Sequence, residues 1–404
     1  MNDYQVYRTK YDCSGCGACK DICNKNAITM TVDEEGFLYP FVDSTLCVRC
    51  GACESVCPQK DSFGVISDGN ATGYAIKHKN DEVRSRSTSG GAFTAIINAF
   101  YELHPAGAVY GVVLDFSTKD SVGLKVCHKR AGNIEECFSF RGSKYVQSDM
   151  TEVFSLIRED LSLGNHVLFT GTPCQTAAIY ARFHHRLDYD HIYLVDIICH
   201  SAPSPLMFNE HIKLIELKTR KKVTDYMFRS KITGWAHNEV AIFDKKKMFG
   251  NKLSQNHKLL FYSDYISRPV CSTCRFAACF NRPSDITIGD FWGIENIAPT
   301  LKDDKGVSLV TINSAKGRSL YNIFRDDVVG MAVSVEQAFS YNYNKACKEN
   351  PKRTEFWLDY KKHGFQFVIA KYTDNAFVWK MKKILRYFLS EKNRSYLKRI
   401  MKRH

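Results

Sequence analysis

Cys13-Ser14-Gly15-Cys16-Gly17-Ala18-Cys19-Lys20-Asp21-Ile22-Cys23 and, further on, Cys47-Val48-Arg49-Cys50-Gly51-Ala52-Cys53-Glu54-Ser55-Val56-Cys57-Pro58 are two copies of one spacing, C-x2-C-x2-C-x3-C. Four thiolates spaced this way wrap one cubane, and where the run is doubled the fourth cysteine of each run crosses to the other cluster. Two 4Fe-4S clusters are therefore expected, one on Cys13, Cys16, Cys19 and Cys57, the other on Cys47, Cys50, Cys53 and Cys23. Ser14-Gly15, Gly17-Ala18 and Gly51-Ala52 are small enough for the backbone to curl and turn its amides toward sulfur. Zinc also accepts thiolates from C-x2-C pairs, but it explains neither the doubled quartet nor Cys57-Pro58.

This stretch resembles a bacterial two-cluster ferredoxin module. It departs from the usual pattern at Asn24, where Pro normally follows the fourth cysteine; the change weakens a turn and leaves the ligands intact. Between the quartets, residues 27–32 and 37–42 read as a hairpin around Asp33-Glu34-Glu35-Gly36. Such a hairpin would hold the quartets in pseudo-twofold register.

A chain of 404 residues has room for a small module and one large domain. No apolar run is long enough to span a bilayer, and residues 1–10 are polar with no signal-peptide centre, so a cytoplasmic location is expected. There, 16 cysteines read as metal ligands and reduced thiols rather than disulfides. The net charge of +13 is uneven: residues 379–404 hold ten Lys or Arg against Glu391 alone, whereas residues 1–66 hold nine acids against six bases. Basicity belongs to the tail, and a nucleic-acid function for the whole chain gains little from it.

Residues 61–70 form a short polar connector. Beyond it strands and helices alternate: a strand at 74–77, a helix at 90–103, a hairpin of 108–114 with 122–126, a helix at 151–161, a strand at 167–169, a helix at 173–183, a strand at 192–198 and a helix at 205–218. The strand-helix-strand run implies a parallel pair with a right-handed crossover.

Four segments carry chemistry-bearing residues. Arg86-Ser87-Thr88-Ser89-Gly90-Gly91 opens a helix, where backbone amides receive phosphate oxygens; an ordinary N-cap is the competing reading. Arg141-Gly142-Ser143-Lys144-Tyr145-Val146-Gln147-Ser148 offers cations, hydroxyls and an aromatic ring suited to a dinucleotide, or else is a solvated loop with a structural Tyr. Cys174 and Cys199 each follow a buried strand, and adjacent parallel strands would bring them to one rim, unless they are inert core thiols. Cys271-Ser272-Thr273-Cys274 is a C-x-x-C pair that reads as a redox disulfide, half of a zinc site or two ligands of a cluster; with Cys174 and Cys199 it makes four cysteines, enough for a third cubane.

In order, Thr88-Ser89-Gly90-Gly91, Ser143-Lys144-Tyr145, Gly171-Thr172-Pro173-Cys174-Gln175, Cys199-His200, Cys271 with Cys274, and residues 285–293 match a known pattern. The chain resembles the coenzyme F420 hydrogenase/dehydrogenase beta-subunit family, in the version with a fused N-terminal two-cluster ferredoxin, over about residues 8–315. Ser201 departs from it, standing where Gly commonly follows Cys-His. The resemblance implies a domain that binds FAD beside a 4Fe-4S cluster, with Thr88, Ser89, Gly90, Gly91, Ser143, Lys144 and Tyr145 as flavin contacts. It implies Cys174, Cys199, Cys271 and Cys274 as the third cluster's ligands, with Cys279 a rival. It further implies a redox partner protein or hydride-carrying coenzyme, and relatives of this layout beside enzymes of surface-polysaccharide synthesis.

The expected fold is thus a small ferredoxin module at residues 1–66, a larger mixed α/β flavin and iron-sulfur domain at 71–330, and a helical, basic extension at 331–404. Residues 377–389 place apolar side chains on one helical face among lysines, which fits either packing on the domain or contact with an anionic membrane. Three functions compete: a flavin-dependent iron-sulfur oxidoreductase, which the motifs favour; an electron relay without a catalytic flavin; and a cluster-based redox sensor, for which no output domain is visible.

Overall fold

The hairpin between the two quartets anchors the small module to the rest of the chain. In the computed structural model, which describes residues 4–60, 69–118, 123–232, 234–235, 238–244, 246–249, 251–278 and 282–373, short helices α1 (Ala18–Ile22) and α2 (Ala52–Ser55) flank an antiparallel pair. Its strands are β1 (Ile28–Val32) and β2 (Leu38–Val42), with Ile28 opposite Val42. The turn is pressed into the larger domain. Gly36 has φ +85°, and a Cβ there would stand 2.4 Å from Leu206 Cβ, so no other residue fits. Ser204 Oγ donates to the Glu35 carbonyl at 2.5 Å, and the Glu35 carboxylate forks onto Arg353, with Nη1 at 2.9 Å.

Both side chains of that ion pair are nearly closed off from water, at 10% and 9% exposure. Removing one partner of a buried pair strands the other charge, which costs about 3–5 kcal/mol. Glu35→Ala should therefore lower unfolding stability by about that much in urea, and Glu35→Leu with Arg353→Met should recover most of it. A loss under about 1 kcal/mol for the single change would show that water reaches Arg353 after all.

The large domain is built on a mixed sheet whose described strands run β13-β3-β12-β11-β7-β6-β4-β5. In chain order these are β3 (Thr72–His78), β4 (Ala108–Asp115), β5 (Lys125–Ala131), β6 (Val167–Gly171), β7 (Ile192–Ile197), β11 (Ile286–Asp290), β12 (Ser308–Ile312) and β13 (Val328–Val333). β8 (Asp225–Met227), β9 (Val240–Phe243) and β10 (Lys246–Phe249) make a separate antiparallel sheet. β4, β6, β7 and β11 are mutually parallel, and antiparallel strands extend both flanks. Central parallel strands are covered on both faces, so β6 reads as an unbroken apolar run.

Alternation sorts that run into two cores. Further helices are α3 (Asp81–Arg86), α4 (Ala92–Leu103), α5 (Val153–Ser162), α6 (Pro173–Phe183), α7 (Pro205–Thr219), α8 (Asn256–Tyr262), α9 (Ala315–Phe324), α10 (Val335–Phe339), α11 (Arg353–His363) and α12 (Phe365–Thr373). Leu168, Tyr193 and Val195 face α4 and α9, while Val167, Phe169, Ile192 and Leu194 face α5 and α6. Ala18 and Val56 of the small module join the second core. The mixed α/β class with a small ferredoxin-like module is the class the sequence predicts.

Several boundaries differ. The second strand of the β4 hairpin, expected at 122–126, runs Lys125–Ala131, because an edge strand tolerates charge: Lys129 pairs with Asp115, and Arg130 with the buried Asp160. The expected boundary at 330 falls inside β13, which pairs with β3 and extends the main sheet. Past it, α11 and α12 pack Phe356, Trp357, Phe365 and Val368 against Met207, Leu260 and Phe261, so this part of the extension belongs to the core. Most of the connector, Cys279 and the basic helix at 377–389 lie outside the described residues. Among the described residues no helix is long and apolar enough to cross a membrane.

Candidate cluster and flavin site

A cavity of about 280 Å³ opens at the carboxyl ends of β6, β7 and β11, the rim where open sheets bind ligands. Thr88, Ser89 and Gly91 line one wall, Ser143, Lys144 and Tyr145 another, and Cys174, Cys199 and Cys271 a third. Ser14, Gly15 and Cys16 of the small module close it. Gly90 is not on the wall. A Cβ there would meet Ile76 O at 2.4 Å and Ser308 N at 2.5 Å, so this residue lets the turn lie flat on β3 and β12.

Local sequence explains how the thiols are aimed. Thr172 caps α6 with a reciprocal Gln175 contact and Pro173 starts its first turn, which puts Cys174 one residue inside the helix. Cys199 follows the end of β7, and Cys271 and Cys274 sit on the turn after Pro269. Burial pushes Cys174 and Cys271 up to about 12, and Cys199 and Cys274 upward as well. Cys199 is raised further by Cys271, Cys174 and Cys274, so the four thiols share one neighbourhood. Sulfur also receives donors suited to a thiolate: Ala202 N–H reaches Cys271 Sγ at 3.3 Å, Gly15 N–H reaches Cys13 Sγ at 3.4 Å, and Thr172 Oγ1 lies 3.2 Å from Cys174 Sγ. Thiols held neutral by burial ionise when a cationic metal core supplies the counter-charge, so this donor set suits a cluster.

The second cavity, about 240 Å³, is lined by Cys23, Cys47, Cys50 and Cys53, with Tyr4 Oη 3.4 Å from Cys53 Sγ. Cys50 is exposed. Cys57 is not on this wall; burial pushes Cys16 up to about 12, and Cys57 is the thiol that adds most to that rise. The crossed ligand sets put Cys57 with Cys13, Cys16 and Cys19. Cys57→Ala should therefore abolish the paramagnetic signal of the cluster on Cys13, Cys16 and Cys19 and spare the other; the opposite loss would mean uncrossed ligands. Among the described residues no three His, Cys, Asp or Glu side chains converge on a point that would hold a single metal ion; the thiols frame cavities instead.

Arg268 and Cys347 escaped the motifs, and Gln147 lies in the segment from Arg141 to Ser148 without a role assigned to it there. Gln147 and Arg268 line the larger cavity and bond to each other at 2.8 Å. Cys347 is buried and couples to Cys271 and Cys274. None lies in a repeated spacing, although Arg268 stands just before Pro269 and the C-x-x-C turn.

Residues 12–60 match the model of a 4Fe-4S dicluster domain, and residues 164–336 match that of the C terminus of the coenzyme F420 hydrogenase/dehydrogenase beta subunit. A segment similar to a two-cluster module is thus followed in this chain by one similar to the C terminus of that beta subunit. The chain is an iron-sulfur protein of the electron-transferring, oxidoreductase type. A chain of the F420-reducing NiFe hydrogenase complex from Methanosarcina barkeri superposes with a TM-score of 0.45 at 15% identity, over 72% of this chain and 99% of that one. No curated protein matches. Within this beta-subunit domain lie Cys174, Cys199, Cys271 and Cys274, whereas Thr88 to Tyr145 precede the matched span.

Proposed function

We propose that this chain is an iron-sulfur flavoprotein oxidoreductase, passing electrons between two N-terminal 4Fe-4S clusters, a third cluster on Cys174, Cys199, Cys271 and Cys274, FAD, and a reducible partner. The observation that carries this reading is the shared cavity. Its walls bring Cys16 of the first quartet together with Cys174, Cys199 and Cys271 and with the helix-opening turn at Thr88 to Gly91. Cys50, exposed beside the second cavity, gives a one-electron donor its place of entry. FAD supplies the exchange between single electrons and a pair that thiolate-bound iron lacks. The partner is a redox protein or a hydride-carrying coenzyme, and the resemblance extends the reading to an acceptor in surface-polysaccharide synthesis.

Within the cavity, the amides opening α4 receive phosphate oxygens. The Thr88 hydroxyl adds a donor, while Ser89 Oγ already donates to Val307 O at 2.8 Å and holds the turn in place. Lys144 Nζ donates to Ser139 O at 3.0 Å and Arg141 O at 2.9 Å, and burial holds its pKa down to about 7. A neutral amine satisfies both carbonyls with its two hydrogens; protonation adds a third donor and a charge for a phosphate.

The folded pKa lies below the unfolded value of about 10.4, so between these pH values the unfolded chain binds the extra proton and stability rises with pH. A bound anion reverses that preference. Flavin binding near pH 8 should take up close to one proton, read by calorimetry in buffers of different ionisation enthalpy; uptake near zero would remove Lys144 from the phosphates. The reading as a whole is tested by reducing the anaerobic chain with a low-potential one-electron donor: bound flavin should bleach after the clusters, and flavin that stays oxidised while all clusters reduce would defeat it.

A further inference from the structure

We infer that Arg268, a residue of the large domain, is the charge that sets the reduction potential of the inner N-terminal cluster. Its side chain is 1% exposed. Nε donates to Cys13 O at 2.8 Å, Nη1 to Gln147 Oε1 at 2.8 Å, and Nη2 to Leu38 O at 2.9 Å, with Cys13 Sγ 3.8 Å away. The Tyr39 ring lies 4.1 Å from the guanidinium carbon. All these partners are neutral except the sulfur once it ligates a cluster.

A buried guanidinium without a counter-ion costs several kcal/mol, and among the described residues Arg268 forms no ion pair. The nearby acids are spoken for: Asp33 pairs with Lys10 and Glu35 with Arg353. One anion remains for it. Four thiolates around a cubane leave net negative charge, which grows by one on reduction, and Cys13 is a ligand in the quartet spacing. The cation therefore stabilises the reduced state more than the oxidised state and raises the potential of the cluster on Cys13, Cys16, Cys19 and Cys57. Among the described residues no comparable cation touches the other quartet. Among the groups lining its cavity, Lys25 is exposed and Arg49 is exposed, so water screens both.

The consequence is a built-in direction. Raising the inner cluster above the outer one draws electrons from the exposed Cys50 side toward the cavity. The same fork clamps the module onto the large domain, and Gly15 has no side chain because a Cβ there would stand 2.7 Å from Arg268 Nη1. Docking and potential are thus set by one side chain, and the two roles have opposite signs. Loss of docking lets water onto the cluster, which favours the more highly charged reduced form and raises the potential; loss of the charge lowers it.

This inference rests on the iron-sulfur reading of the quartets and needs no flavin. The test is a potentiometric titration of the anaerobic full-length chain followed by electron paramagnetic resonance, which resolves the two N-terminal clusters. Arg268→Gln should shift the inner cluster's one-electron equilibrium about tenfold or more toward the oxidised form, about 59 mV downward, with the outer cluster unmoved. Arg268→Lys should stay near wild type. If Arg268→Gln fails to fold, Gln147→Glu keeps the shape and the bond to Arg268, gives up the Gln147 Nε2 donation to Ser14 O, offsets the guanidinium charge, and should lower the same potential. An inner potential that is unmoved or raised in whichever of these two folds overturns the proposal. A wild-type chain lacking both N-terminal signals would instead overturn the cluster reading beneath it.

Discussion

Cys271→Ser is expected to cut iron by about a third, from roughly twelve to roughly eight per chain, while both N-terminal signals persist. Cys271 is buried beside the cavity, its sulfur accepts the Ala202 amide, and its thiol couples to Cys274 and helps raise Cys199 and Cys174. A serine hydroxyl at that place is a poor ligand for cluster iron, and a cubane left on the remaining three thiols is labile and readily lost. Cys347 is the built-in control. It couples to Cys271 and Cys274, whereas Cys199 couples to Cys271, Cys174 and Cys274 together. Cys347→Ser should therefore keep full iron. Reversed results, with iron lost in Cys347→Ser and kept in Cys271→Ser, would put Cys347 in the ligand set.

Gly90→Ala should empty the cavity of flavin and leave iron unchanged. The added Cβ would press on the Ile76 carbonyl at 2.4 Å and the Ser308 amide at 2.5 Å, both backbone, so no side-chain rotation relieves it. Gly90 O also accepts His78 N–H at 2.8 Å, tying the turn to the end of β3. Overpacking of this kind costs about 1–3 kcal/mol, and if the turn from Ser89 to Ala92 lifts away to relieve it, the cost falls on the wall proposed to receive the flavin phosphates. At about 1.4 kcal/mol per factor of ten, flavin affinity should drop roughly tenfold to a hundredfold or more. Flavin absorbance per chain after gel filtration measures it, and undiminished flavin would mean that the cofactor does not lie against this turn.

The parts legible in the sequence are those dictated by local rules. The quartets follow from cubane geometry, and the run from Val167 to Phe183 follows from an apolar strand, a capping Thr172 and a Pro at the first helical position. The flavin-contact and third-cluster residues that the resemblance supplied fall on the walls of one cavity, Gly90 and Cys274 excepted. Distant pairings were hidden. Arg268 meets Cys13 across 255 positions, and Arg353 meets Glu35 across 318, so no window of sequence holds both partners. β5 was cut short because His128, Lys129 and Arg130 interrupt its apolar pattern on an edge where charge is tolerated. β13 was missed because only its ends, Val328 and Val333, are buried. Cys347 carries no spacing that marks it as a neighbour of the C-x-x-C turn.

Whether three clusters and one flavin meet around a single rim is measured most directly by cofactor content. Purified without oxygen and analysed for iron, acid-labile sulfide and flavin, the full-length chain should hold roughly 12 Fe, as much sulfide, and about one FAD. Roughly eight Fe with no flavin after anaerobic reconstitution would contradict the account and leave a two-cluster relay.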